Sequence, residues 1–246
     1  MNVLVLMAGD SGRFEEAGHA WPKNLIEIDG LPLIERVVGC LRPLLDAGAR
    51  PIFIVRRSED DAFRTADVLR LLVPGATVLL VPDLESGAAC TALLAIEEIA
   101  PEEPLLIYNG DQIVEDDLGA IVDDFAAREL DGGVVVFNAV HPRWSYVRTG
   151  PDGLVVEAAE KRPISTLATA GTYYFARGGS FLEATMAMIR KDAHVNGRFF
   201  ICPAYNELVL RQARIGVHEI DRTAYFSLAM PQGVAAYEEH LHAVRA

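Results

Sequence analysis

The 246-residue chain is short of positive charge. Its 22 Lys and Arg face 35 Asp and Glu, for a formal net charge of −13. Proteins that coat nucleic acid or anionic membranes present clustered Lys and Arg, so this balance argues against both partners. Anionic small molecules stay open, provided the few cations gather in one cleft or a metal is recruited. Cysteine is scarce as well: Cys40, Cys90 and Cys202 lie far apart in apolar surroundings without CxxC spacing, which reads as buried free thiols in a reduced compartment. No apolar run approaches the length of a bilayer span, and the chain enters a strand with no basic leader or cleavage site, so the expected location is the cytoplasm. The six histidines show no metal-ligand spacing. No repeat or low-complexity linker interrupts the sequence, and its length suits one large α/β domain, with a nucleotide-binding half over about 1–132 and an acceptor-binding half over about 133–246.

What is present is concentrated near the start. Residues 3–7 read as a buried strand that stops at Ala8 and Gly9, followed by Asp10, Ser11, Gly12 and then Arg13. Glycines at the end of a strand let successive N–H groups turn inward into an anion site, and Arg13 adds a permanent charge. Lys23 brings a second cation from the next loop. The loop lacks Gly-Lys-Ser/Thr, so it is not a Walker loop; it lacks the third glycine, so it is not the dinucleotide fingerprint.

Beyond it, helical spacing from Leu33 to Leu45 contains Pro43, where a kink of the last turn is expected. Strands are expected over 51–55, 77–81 and 104–108, and helices over 60–72 and 86–99. This alternation implies right-handed crossovers and a mostly parallel sheet. The strand over 104–108 ends in Asn109-Gly110-Asp111, and in an open α/β sheet ligands gather beyond the carboxyl ends of the strands, where the Met7 loop also lies. Asp111 is thus a candidate magnesium ligand, a hard oxygen of the kind that holds Mg2+ together with phosphate oxygens. Farther on come a helix over 118–128, a strand over 133–140, a hairpin over 144–160 turning at Pro151-Asp152-Gly153, a strand over 167–175 and a helix over 180–190.

The pieces Leu6-Met7-Ala8-Gly9-Asp10-Ser11-Gly12-Arg13, Pro22-Lys23-Asn24-Leu25 and Gly30-Leu31-Pro32-Leu33-Ile34 agree in order and spacing with the sugar-1-phosphate nucleotidylyltransferases, or NDP-sugar pyrophosphorylases, which the chain resembles. Ser11 stands where the family usually has a second glycine and Leu31 where it often has lysine. The resemblance implies a GT-A-like, Rossmann-like three-layer fold with an added hairpin region on the acceptor side. It implies a nucleoside triphosphate and a phosphorylated small-molecule acceptor as substrates, Mg2+ as cofactor, and a place in surface-polysaccharide precursor synthesis. It also allows a homo-oligomer, which the sequence does not specify.

Carried over residue by residue, the resemblance puts Arg13 and Lys23 on the triphosphate and Asp111 on the metal. Met7 to Gly12, Ser86-Gly87-Ala88 and Asn109-Gly110 fall on the nucleotide side, although the small residues at 86–88 serve tight helix–sheet packing equally well. Glu160-Lys161 resembles the family's E-K-P, giving Lys161 the acceptor phosphate and Glu160 a sugar hydroxyl. Gly171-Thr172 would lie beside the sugar. Asn206 and Glu207 are further acceptor candidates or, equally, a helix cap and a first-turn acid. Where many relatives carry a second metal aspartate this chain has Ser227, and Asp221 is the nearest carboxylate. Three other readings remain open: a cytidylyltransferase for phosphocholine or another non-sugar phosphate, with a cage drawn from Trp144, Tyr146, Tyr173 and Tyr174; a GT-A glycosyltransferase; and a non-catalytic nucleotide sensor.

Overall fold

The computed structural model describes residues 1–83 and 86–245. Its strands are β1 Asn2–Leu6, β2 Glu27–Ile28, β3 Leu31–Pro32, β4 Arg50–Arg56, β5 Thr77–Val81, β6 Leu105–Asn109, β7 Gln112–Val114, β8 Gly132–Asn138, β9 Ser145–Thr149, β10 Val155–Glu160, β11 Leu167–Phe175, β12 Ile215–Glu219 and β13 Tyr225–Ser227. The helices are α1 Gly12–Glu16, α2 Leu33–Asp46, α3 Arg57–Phe63, α4 Thr65–Leu72, α5 Ala88–Leu93, α6 Leu118–Ala127, α7 Gly178–Arg190, α8 Tyr205–Val209 and α9 Pro231–Arg245.

Nine of these strands form one sheet along the path β10-β9-β11-β6-β1-β4-β5, with β8 paired to β11 and β12 paired to β8. The run β5-β4-β1-β6 is parallel, and β11 turns the sheet antiparallel by pairing with β6 through Thr172↔Tyr108 to Phe175↔Leu105. The α/β fold with a mostly parallel central sheet is therefore present. Its central strands β1, β4 and β6 are buried on both faces over most of their length, as their near-continuous Val, Ile and Leu content requires. Val3, Val5, Phe53, Val55, Leu106 and Tyr108 pack into one core with α2 and α6, while Leu4, Ile52, Ile54, Leu105 and Ile107 point into the other with α5, α7 and α8. Because β1, β4, β5 and β6 run the same way, the loops after Leu6, Arg56, Val81 and Asn109 all leave one edge of the sheet.

Some expectations change. The helix over 60–72 is two helices, broken at Arg64 in a left-handed conformation (φ 58°), and the Asp60 carboxylate accepts from the Ala66 N–H to start α4. The helix over 86–99 keeps α geometry only through Leu93 and then continues in tighter i→i+3 bonds from Leu94, Ala95 and Ile96. Pro43 sits inside α2, which runs on to Asp46. All three cysteines are free, but only Cys202 is buried; Cys40 and Cys90 are half-buried. Among the described residues no helix is long and apolar enough to cross a membrane.

β11 is joined to β8 over most of its length, with a register shift between Thr169 and Tyr173. The fully buried Tyr205 of α8 clamps this seam: its one hydroxyl proton is shared between the carbonyls of Gly133 at 2.9 Å and Tyr174 at 2.7 Å. Replacing Tyr205 with Phe leaves both carbonyls without that donor, so urea denaturation of the variant should show a loss of about 1–2 kcal/mol with the chemistry of the sheet edge unaffected.

Candidate active site

The loops at the carboxyl edge of β1, β4, β5 and β6 border a cleft of about 940 Å³. On one side it is floored by Ala8, Gly9 and Asp10 and crossed by Lys23, whose side chain is only 4% exposed. The Lys23 ammonium reaches Asp111 Oδ2 at 2.7 Å. Its path runs across Gly9: a Cβ there would stand 2.6 Å from Nζ, so any larger residue displaces the lysine. Ser11 has a role that its departure from the family pattern did not reveal. Its hydroxyl accepts from the Lys23 N–H at 3.1 Å and ties the two cation-bearing segments together. Arg13 is exposed at the rim, with a guanidinium contact to the Met230 sulfur at 3.2 Å.

Arg56, which the sequence reading did not single out, is a third cation here. It donates to the Ala8 carbonyl at 2.8 Å and faces Asp10 at 3.7 Å and Asp83 at 3.6 Å. The parallel register carries the signal: Leu6 lies beside Ile54, so two residues further on Arg56 lies beside Ala8.

On the other side, the β9–β10 pair and β11 form a second wall. Glu160 accepts a short hydrogen bond from the Ser145 hydroxyl, and burial pushes its carboxyl above the ordinary value, opposed by Ser145 and by Lys161. Tyr173 and Thr169 share a hydroxyl–hydroxyl bond of 3.0 Å nearby, and all four side chains line the cleft. Gly171 has φ +59°, and a Cβ there would collide with Gln112 Oε1 and Asn109 Nδ2, so this residue type permits the bulge that opens the wall. Two cations without a carboxylate partner among the described residues lie against aromatic rings at this end: Arg143 over Trp144 at 4.2 Å and Lys161 over Phe200 at 4.9 Å.

Of the residues singled out from sequence, Ala8, Gly9, Asp10, Arg13, Lys23, Gly87, Ala88, Asn109, Asp111, Glu160, Lys161 and Gly171 line this one cleft. Met7, Gly12, Ser86, Gly110 and Thr172 lie behind or beside it. The Met7 carbonyl accepts from Asn24, the Gly110 N–H binds the Leu6 carbonyl, and the Thr172 hydroxyl accepts from Gln112. Gly87 packs directly on the Phe199 peptide, so its small size serves backbone approach as well as the cleft.

Three assignments change. The Asn206 amide is spent on both backbone groups of Ala158 at 2.8 Å, and Glu207 pairs with Lys191 at 2.7 Å, so neither faces the cleft. Asp221 is no substitute second metal ligand, because its carboxylate caps its own turn by accepting from the Thr223 N–H and hydroxyl. Ser227 lines the cleft instead. Among the described residues no three acidic, His or Cys groups converge to hold a metal.

A cation-floored loop at the carboxyl edge of a parallel sheet, opening into a polar pocket, suits an α/β protein that binds a phosphorylated ligand. Residues 3–190 match the model of the MobA-like NTP transferase domain, and the chain belongs to that family. It is 26% identical over 188 residues to the UTP–glucose-1-phosphate uridylyltransferase AglF of Haloferax volcanii, covering 71% of this chain and 72% of that protein. It is 25% identical over 212 residues to the bifunctional protein GlmU of Thermotoga petrophila, covering 84% of this chain but only 44% of the relative. Among solved structures, the nucleoside-diphosphate-sugar pyrophosphorylase from Vibrio cholerae superposes with a TM-score of 0.82 at 26% identity, over 96% of this chain and 99% of the other.

Glu160 gives the cleft a measurable pH signature. Burial favours its neutral form, so the folded chain keeps the proton to a higher pH than the unfolded chain, which releases it near 4.5. The wild type therefore loses stability as pH rises from that value through the folded one. Urea melts at several pH values should show Glu160→Gln gaining on the wild type across this window and levelling off above it.

Proposed function

We propose that the protein transfers a nucleotidyl group from a nucleoside triphosphate to the phosphate of a sugar 1-phosphate, giving an NDP-sugar and pyrophosphate. The observation that carries this reading is the continuity of one cleft from the glycine loop, with Lys23, Arg13 and Arg56, to the hydroxyl-lined pocket of Glu160, Ser145 and Tyr173 with Lys161 at its edge. An oxygen of the acceptor phosphate attacks the α-phosphorus, the bond from that phosphorus to the bridging oxygen of the leaving group breaks, and pyrophosphate departs. No covalent enzyme intermediate is needed, so catalysis rests on alignment and charge neutralisation.

Lys23 and Arg13 take the triphosphate oxygens, Lys161 the acceptor phosphate, and Glu160 the sugar hydroxyls. The donor set suits a magnesium ion held by one carboxylate: Asp111 already faces a cation, the Lys23 ammonium, and phosphate oxygens and waters complete such a shell. Bound there, Mg2+ would offset charge on the triphosphate.

A sugar is favoured over phosphocholine because cations already lie over two of the aromatic rings at the acceptor end, and cations beside a quaternary ammonium repel it. Arg143 lies over Trp144 and Lys161 over Phe200, while the Tyr146 hydroxyl is turned away to the His141 carbonyl. The proposed setting is the cytoplasm, where the product would serve surface-polysaccharide assembly.

The test is pyrophosphate release with Mg2+, crossing the nucleoside triphosphates with sugar 1-phosphates and phosphocholine. Release should require both substrates and a sugar acceptor. Folded Lys23→Ala and Arg13→Ala variants should each lose about 10²–10³-fold in kcat. Full activity in both variants, or turnover of phosphocholine alone, sinks the reading.

A further inference from the structure

Behind the glycine loop lies a carboxylate that the transfer reaction does not touch. Glu59, on α3, is 7% exposed and accepts from the Asn24 amide at 2.9 and 3.1 Å and from the Thr65 hydroxyl at 2.9 Å. The same Asn24 amide nitrogen donates to the Met7 carbonyl at 3.0 Å, and Asn24 is fully buried, its Oδ1 without a hydrogen-bond partner among the described residues. Asn24 is also the residue after Lys23. One NH2 group thus fixes three things together: the helix after β4, the last carbonyl before the glycine loop, and the segment that sends the lysine into the cleft. Arg56 ties down the next carbonyl, that of Ala8, at 2.8 Å. With both carbonyls held from behind, the turn that follows keeps its N–H groups for an anion in front.

We infer that Glu59 is a positioning residue for the phosphate site, acting through Asn24 on the glycine loop and on Lys23. This rests on the reading of that loop as a triphosphate site. A neutral carboxyl packed in for stability alone would serve as well as an amide of the same shape. A carboxylate that accepts one Asn24 proton across its two oxygens, leaving the other for Met7, and the Thr65 proton besides, does not tolerate Gln, whose NH2 meets the Asn24 NH2 donor to donor and turns it off the Met7 carbonyl.

The test is calorimetric binding of inorganic tripolyphosphate with Mg2+, which needs neither the base nor the acceptor to be known. Glu59→Gln should weaken binding about tenfold, and Glu59→Asp, which keeps the charge, should recover most of it. Thr65→Val is the control, since it loosens the same carboxylate without a link to the loop: it should lower Tm and leave tripolyphosphate affinity unchanged. Where Glu59→Gln does not fold, Glu59→Asp against Thr65→Val carries the comparison, the first weakening binding by a few fold and the second not at all. Unchanged affinity in the folded Glu59 variants, or affinity that falls in step with Tm in Glu59 and Thr65 variants alike, overturns the positioning role and leaves the transfer reaction standing. Wild-type protein that ignores tripolyphosphate overturns the phosphate site and, with it, any role in positioning it.

Discussion

The contact on which the site depends is the ion pair between Lys23 and Asp111, formed across a glycine. Lys23 is almost wholly withdrawn from water, and an ammonium in that position without an anion is costly; removing one partner of a buried pair typically destabilises by about 3–5 kcal/mol. The lysine must therefore always face negative charge. In the structure that charge is Asp111, and in the proposed reaction it is the triphosphate, which releases Asp111 for the metal. The exchange conserves the number of compensated charges in the cleft, so substrate entry need not strand a cation. Gly9 makes this geometry accessible because no Cβ bars the ammonium's path.

The fold serves this pair by convergence of strand ends. Lys23 follows the strand that begins the chain, and Asp111 follows a strand about a hundred residues later, yet β1 and β6 are hydrogen-bonded neighbours with Leu6 beside Asn109. β13 then pairs with β7 and brings Ser227 beside Gln112, with the Leu228 N–H on the Asp111 carbonyl at 2.7 Å. The aspartate backbone is thus pinned from the C-terminal region while its side chain is left to the cleft. The bulge at Gly171 shapes the far wall, where β11 shifts register between Thr169 and Tyr173 and only a residue without a Cβ fits against Gln112 and Asn109.

Much of this was legible in sequence because it is local. A strand followed by small residues and an arginine, a Pro-Lys pair and a strand ending in Gly-Asp each announce themselves within a few positions, and all three meet in the cleft. What sequence hid is non-local or depends on side-chain partners. Arg56 reads as the polar end of a strand until the parallel register sets it against Ala8. Asn206 and Glu207 read equally as acceptor contacts or as a helix cap and first-turn acid until the packing of α8 on β10 hands the amide to Ala158. Asp221 was recoverable, since an aspartate two residues before a threonine is a common self-capping turn. The break at Arg64 had no such signal: no glycine or proline marks it, and it follows from the Asp60 cap on Ala66.

Net charge and site charge oppose each other, and the opposition has a physical use. A surface of net −13 repels polyanions at long range, a force screened within about 8 Å at physiological salt. Small phosphates that come closer than this meet Arg13, Lys23, Arg56, Arg143 and Lys161 along a single cleft. Arg13, Arg143 and Lys161 are without carboxylate partners among the described residues and are held instead by sulfur or aromatic rings. A cation parked on a ring keeps its position at little cost in charge, so it remains free to pair fully with an incoming phosphate. An acidic exterior around a cation-lined cleft opposes an extended polyanion more than a compact one, which agrees with the proposed nucleotide and sugar phosphate rather than with a nucleic acid.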